Sequence, residues 1–568
     1  MNALFAADGK LALFCGTALR YLFPLLALWI LARCIRPLLT FRQEPEVWAW
    51  LTLSDGTALP VTHWESVIGR SRGSDIVVSI STVSRSHAVL TRYDDGSWTI
   101  CDIGSRGGVL VNGEAYDICA IEYGDVISLG GVELQLDPAT PEERAQQAAT
   151  RTRAGSDLRP APTLMLLTLF QLLTVLQLFL HLPNEAHRSL FLSFGALMLL
   201  QWLLFLTLKA LRRSSFEMET IAFFLMTIGL AVVASSAPSS MTKQLIAGVG
   251  GILLYLLLGW SLRDLERAKK LRYAAAVSGL VLLAANLAFG TEIYGAKNWI
   301  YIGPVSFQPS ELVKLCFIFT GASTMDRIVT RRNLILFIAY SAVVCGCLAL
   351  MRDFGTALVF FVCFLVIAYL RSGSFATIAL SVAATGFAGS LALTINPHIK
   401  SRFKTWRHIW QYPDSGGYQQ MRALMCAASG GLFGLGAGCG WLHYVAAADT
   451  DLVFALVCEE WGLLLAAMLV AAIACLGVFV VRSAAVGRSS FYTIAAGAAV
   501  AILITQTILN VFGTVDFLPL TGVTFPFLSN GGSSMLSSWG LLAFIKAADT
   551  RQNASFAVRS AGTQEVTE

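Results

Sequence analysis

The chain has 568 residues, of which 55% are hydrophobic and only 14% charged, with a formal net charge of +5. That composition is too apolar for an ordinary soluble protein of this size, and the small positive balance, without an RNA-binding or helix-turn-helix signature, excludes a nucleic-acid partner. Apolar runs of about 20 residues, enough to cross a hydrocarbon core about 30 Å thick, recur along the sequence and number about thirteen. Most of the twelve cysteines lie in such runs, among them Cys345, Cys347, Cys363 and Cys475. Without a Cys-x-x-Cys pair they read as small buried residues rather than metal ligands.

Taken in chain order, residues 1–43 carry a first span, Leu11 to Ala32, which contains Arg20. A secretory signal is the rival reading, but no small-residue cleavage site precedes Arg33 and Arg36. Residues 44–140 form the one long soluble stretch. Residues 141–162, rich in Ala, Arg, Thr and Pro, read as a flexible linker. A transmembrane hairpin follows at 163–212, then a polytopic core at 213–550 and a tail at 551–568. Spans are expected near Leu11, Thr163, Leu190, Thr220, Gln244, Tyr273, Leu312, Leu334, Thr356, Ala376, Leu452, Tyr492 and Met535. Lys and Arg gather on the cytoplasmic side of short loops. Seven basic clusters, from Arg33/Arg36/Arg42 to Lys546/Arg551, share one side under this assignment. It places the soluble domain and the C-terminus in the cytoplasm of a multi-pass protein of the cell membrane.

From Val47 to Leu136, apolar and polar residues alternate in short runs broken by Gly, Asp and Asn, which predicts an antiparallel β-sandwich. Within it stand Gly69-Arg70-Ser71, Ser84-Arg85-Ser86-His87, Ile103-Gly104-Ser105-Arg106-Gly107-Gly108 and Asn112-Gly113. This spacing resembles the forkhead-associated (FHA) domain, a phosphothreonine-reading module. The resemblance implies phosphate contacts from Arg70 and Ser84, since phosphate oxygens call for loop-borne cations and hydroxyls. It implies that His87 braces the loop. Where the family commonly has Thr-Asn this chain has Arg106-Gly107. That Asn normally holds the peptide backbone, so either Arg106 compensates by charge or the domain is a dock that does not need phosphate.

Ionisable side chains in apolar runs mark cavities or paired charges, which singles out Glu311, Lys314, Asp353, Glu459 and Glu460. Glu311 and Lys314 share a helix face, as a structural ion pair or as substrate contacts. Three strings fall at membrane boundaries: Gln308-Pro309-Ser310-Glu311, Asp353-Phe354-Gly355-Thr356 and Pro526-Phe527-Leu528-Ser529-Asn530-Gly531-Gly532-Ser533-Ser534. Together they resemble the SEDS family (shape, elongation, division and sporulation; the FtsW, RodA and SpoVE group). Its members are membrane glycosyltransferases that polymerise lipid II, the lipid-linked precursor of bacterial peptidoglycan.

The expected fold is therefore a polytopic α-helical membrane protein of about 13 spans, with a SEDS-like ten-span core and an inserted cytoplasmic all-β FHA sandwich. The resemblance implies a role in cell division or cell shape, and substrate contacts from Trp299, Gln308, Glu311, Lys314, Asp353, Arg402, Lys404, Asp451, Glu460, Ser533 and Ser534. The outer loop Asn396 to Thr450 is basic on the wrong side for the insertion signal, which either suits a pyrophosphate leaving group or reflects that long loops translocate regardless of charge. Asp414, in Tyr412-Pro413-Asp414-Ser415-Gly416-Gly417-Tyr418, is the candidate catalytic carboxylate. The family's Asp precedes its Pro and lies further from the Gly-Tyr pair, so either the loop is shortened with Asp414 still serving or the catalytic carboxylate is lost. Arg422-Ala423 and Ala446-Ala447 also depart from the family's Gln-Ser and Pro-Glu. Asp451 can serve either the substrate or as an N-cap. The implied partners are a class B penicillin-binding protein, lipid II, the membrane and a phosphothreonine-bearing cytoplasmic protein. No cofactor motif is evident, and a divalent cation is compatible with the resemblance. A lipid II flippase and an inactive phospho-dependent scaffold are the alternatives.

Overall fold

The structure, a computed structural model, describes residues 9–40, 46–146, 160–211, 215–326, 331–372 and 402–556, apart from single positions or pairs within these ranges and fragments between 379 and 386. The soluble stretch folds as two packed sheets. One has the order β2 (Ala58–Val61), β1 (Ala49–Leu53), β11 (Val132–Pro138), β10 (Val126–Leu129), β7 (Val109–Val111), β8 (Glu114–Ala115). The other runs β4 (Ile76–Val77), β3 (Glu65–Gly69), β5 (Ala88–Arg92), β6 (Trp98–Asp102), β9 (Ile118–Ile121). Period-two patterning sets the faces: in β11, Val132, Leu134 and Leu136 point in while Glu133 and Gln135 point out. The sandwich has a hydrophobic core of its own, including Leu51, Ile68, Leu90, Ile100 and Ile127.

Eight described helices are long and apolar enough to cross a membrane. Three precede the core: α1 (Gly9–Thr40), α2 (Pro160–His181) and α3 (Asn184–Ala210). The core opens with α4 (Glu217–Ser236), largely apolar on every side beyond its acidic first turn and enclosed by the bundle over almost its whole length. It continues through α5 (Met241–Ser261), α6 (Arg272–Phe289), α7 (Pro309–Asp326), α8 (Arg331–Leu350) and α9 (Phe354–Ser372). After residues 402–417 come α10 (Tyr418–Gly430), α11 (Val453–Trp461), α12 (Leu463–Ala484), α13 (Ser490–Thr514) and α14 (Gly532–Ala547). The span expected near Ala376 lies outside the described residues.

The run from Leu452, expected to be one span, is two helices. Gly462 breaks it at φ 87°, and a Cβ there would meet Leu432 O at 2.3 Å, so α11 stays short beneath a crossing loop while α12 carries the span. A three-stranded meander that the sequence pattern did not signal, β12 (Thr291–Ile293), β13 (Ala296–Ile302) and β14 (Val305–Phe307), joins α6 to α7. Two cations used for topology are not solvated: Lys546 Nζ pairs with Glu219 at 3.1 Å, and Arg551 with Asp549 at 2.6 Å, all four buried. Beside this network Trp64, in the loop entering β3, packs at the start of α13 against Tyr492 and near Ala547 to Thr550 at the end of α14. The sandwich therefore sits at one end of α13 and α14.

Candidate functional site

At the other end of those two helices lies a cavity of 590 Å³. Segments far apart in sequence wall it: the meander, the turn into α9, the stretch before α11, the 518–524 loop and the start of α14. Polar bonds hold the walls together. The Gln308 N–H donates to Ser533 Oγ (2.9 Å), tying α7 to α14. Asn510 Nδ2 donates to the carbonyls of Asp451 (3.1 Å) and Val523 (2.9 Å). Asn530 Nδ2 donates to Asp449 Oδ2 (2.7 Å). Asp353 caps α9 by accepting from the Thr356 N–H (3.1 Å) and takes a second bond from Asn298 Nδ2 (3.0 Å).

Backbone strain gathers here. Of the six non-glycine residues with positive φ among those described, Arg352 and Ala447 line the cavity, and Arg407, Asp516 and Phe527 lie on the segments flanking it. Such conformations persist only where the surroundings over-determine them, and they cluster at functional sites.

Asp451 lines the cavity just outside the membrane-spanning helices. Leu452, not Asp451, takes the N-cap of α11, and no side chain caps that helix. Burial pushes the Asp451 carboxyl up to about 6, against a hydrogen bond from Thr450 and the charge of Arg402, and with help from Asp449 and Asp353. Arg402 is held at the rim by donating from Nη1 to Leu520 O (2.9 Å). The cavity thus combines a carboxylate with its pKa near 6, the Arg402 cation at the rim and the amino end of α14, while the guanidinium of Arg352, another lining residue, pairs with Glu292 at 3.5 Å.

Residues 218–554 match the family model described as "Cell cycle protein", that of FtsW, RodA and SpoVE, and residues 66–130 match the FHA domain model. The chain belongs to the FtsW/RodA/SpoVE family. It is 30% identical over 328 residues to the peptidoglycan glycosyltransferase RodA of Mycobacterium tuberculosis (strain ATCC 25618 / H37Rv), an alignment covering 54% of this chain and 69% of that protein. It is 32% identical over 344 residues to a probable peptidoglycan glycosyltransferase FtsW of Tolumonas auensis, covering 56% and 87%. A solved structure of a peptidoglycan synthase complex that coordinates polymerization and crosslinking is similar at TM-score 0.50 and 26% identity, over 58% of this chain and 96% of the matched one.

Within this family member the cavity gathers Trp299, Gln308, Asp353, Arg402, Asp451, Ser533 and Ser534. Other expected site residues lie elsewhere. Glu311 and Lys314 form a buried pair at 2.7 Å, with Ser537 Oγ donating to Glu311 (2.6 Å), one turn deeper than the Gln308–Ser533 contact. Glu459 accepts the N–H groups of Trp441 (2.8 Å) and Leu442 (2.9 Å), and Glu460 is buried against the same glycine-rich loop. Lys404 lies over the Tyr412 ring, and Asp414 is exposed on the turn before α10, outside the cavity lining. Asn298 and Arg352 also line it without standing in any of the strings, although Arg352 adjoins Asp353 as a cation beside one, and Asn530 stands in the Pro526–Ser534 string but was not singled out there as a site residue. Among the described residues no group of three His, Cys, Asp or Glu is arranged to hold a metal ion.

In the FHA domain, Arg70 and Arg106 are exposed at the loop ends and Ser84 sits between them, its Oγ accepting the Arg106 N–H (3.1 Å). His87 is fully buried; its Nδ1 accepts the Ser84 N–H (3.1 Å), which leaves Nε2–H to donate to Gly108 O (2.9 Å). A Cβ at Gly107 would lie 2.7 Å from Gly130 Cα, so no side chain, Asn included, fits there without backbone movement. Arg70 follows the end of β3 and Trp64 precedes its start, so Arg70 lies at the end of that strand remote from the helical bundle.

Proposed function

We propose that the chain is a peptidoglycan glycosyltransferase that extends glycan from lipid II. The acceptor sugar hydroxyl attacks the donor's anomeric carbon, the bond from that carbon to the pyrophosphate oxygen breaks, and undecaprenyl pyrophosphate leaves. Asp451 carries the reading: a cavity carboxylate with its pKa near 6 is matched to taking the hydroxyl proton at neutral pH. Arg402 and the amino end of α14 offer positive charge where the pyrophosphate develops its own. Asp414, exposed beyond the lining, is the weaker candidate for the base.

In this reading the cavity faces outward, and the FHA domain and C-terminus, at the opposite end of α13 and α14, face the cytoplasm. There the domain recruits a phosphothreonine-bearing protein. A class B penicillin-binding protein supplies the cross-links, a pairing supported by the likeness to a complex of polymerization and crosslinking. Polymerisation of lipid II by the purified chain tests the assignment. Asp451→Asn should lower the rate by at least about 100-fold while the protein stays monodisperse, the size of a lost general base. Asp414→Asn should retain most activity. The reverse pattern would return the role to Asp414, and an inactive wild type, with and without its penicillin-binding partner, would sink the reading.

A further inference from the structure

Beside the cavity the outer surface carries an aromatic and cationic face that, Arg402 apart, the chemistry above does not use. It is built from residues 402–412 and the 516–520 segment. Phe403 is 44% exposed, Trp410 62% and Phe517 55%, although all lie outside the spanning helices. The face is rigidly made. Trp406 Nε1–H donates to Phe517 O (3.1 Å), and the Arg407 N–H donates to Asp516 Oδ1 (3.1 Å). Both Arg407 (φ 59°) and Asp516 (φ 57°) are left-handed, so two strained non-glycine residues are bonded to each other to present it. The Arg407 guanidinium lies 5.4 Å from the Trp406 ring centre and 5.7 Å from that of Phe517, close enough for cation–π contact with both.

We infer that this face binds the sugar chain being extended, a β-linked amino-sugar oligomer with carboxylate-bearing side arms. Sugar rings have an apolar C–H face that stacks on exposed aromatic rings, and Arg407 and Lys404 complement the carboxylates. The occupant follows from continuity: Arg402 and Phe403 belong to this segment and also line the cavity, as do Leu518, Pro519 and Leu520 of the facing loop. A chain leaving the cavity at that rim runs directly onto the face. The inference rests on the polymerase reading.

The test is binding of a soluble peptidoglycan tetrasaccharide bearing peptide stems to the purified full-length chain, measured by calorimetry without turnover. Trp410→Ala and Phe517→Ala should each weaken it by five-fold or more, and Arg407→Gln should abolish the preference for this probe over an uncharged chitin tetramer. Trp410→Phe should rescue binding, which separates stacking from misfolding. Unchanged binding in all variants would overturn the inference. So would quenching of the Trp410 signal by brominated lipids, read against Trp410→Phe, because the face would then sit among lipid headgroups. A wild type that binds the probe but makes no glycan would sink the polymerase reading alone; one that makes glycan while its variants bind normally would sink only the platform.

Discussion

The FHA sandwich and the cavity occupy opposite ends of the same two helices, α13 and α14, and they are assembled in opposite ways. The proposed phosphopeptide surface comes from consecutive loops between residues 70 and 108, braced by one buried histidine. The cavity draws on residues from 295 to 534, and its walls are joined by side-chain bonds between segments far apart in the chain. A local site of this kind can lose one contact, as at Gly107, and keep its frame. A long-range site depends on every wall being in place, and here it accumulates strain and a carboxylate held above its ordinary range.

The sharpest way to break the comparison is at Asp451, where activity and stability should respond to pH in opposite directions. As a base the residue works ionised, so the rate should rise as pH passes through about 6, and Asp451→Asn should remove that limb with nearly all activity. Its folded pKa lies above the ordinary value of 3.8, so its contribution to stability is fully present below that value and lost as pH rises through about 6. Asp451→Asn should therefore show a higher Tm than wild type at pH 7.5 and an equal one near pH 4. A lower Tm at pH 7.5 would mean that the carboxylate stabilises the cavity.

At the other end, His87→Ala should destabilise the FHA segment 46–140, which has its own core, by about 2–4 kcal/mol. It leaves the Ser84 N–H and the Gly108 carbonyl without their partner. Urea unfolding of that segment measures the loss; under 1 kcal/mol would show that water replaces the ring. Arg70→Ala should cost about ten-fold in phosphothreonine-peptide affinity, the size of one charge-assisted hydrogen bond, and Arg106→Ala clearly less. Equal affinity for phosphorylated and unphosphorylated peptide would make the domain a phosphate-independent dock.

The smallest effect is expected where the sandwich meets the helical bundle. Trp64→Ala removes an edge-on contact with Tyr492, worth about 0.5–1.5 kcal/mol. Hydrogen exchange should quicken in residues 489–493 and 546–550 and stay unchanged around Asp451. Protection lost at both ends would show that α13 and α14 carry the perturbation to the cavity.

Composition, period-two alternation and the family strings were enough to determine a multi-pass protein with an inserted FHA sandwich, because hydropathy runs and strand faces are set by residues near each other in the chain. Trp299, Gln308, Asp353, Arg402, Asp451, Ser533 and Ser534 were legible as single candidates for the same reason. The tertiary structure decided which of them share a cavity, and it left Asp414, Glu311, Lys314, Lys404 and Glu460 outside the lining. It also decided that the run from Leu452 breaks at Gly462 and that Lys546 and Arg551 are buried in ion pairs. Each of these depends on what approaches from elsewhere in the chain: a crossing loop at Gly462, a facing carboxylate at Lys546, and the depth of protein around Asp451. Spacing along one strand of sequence does not encode such distances.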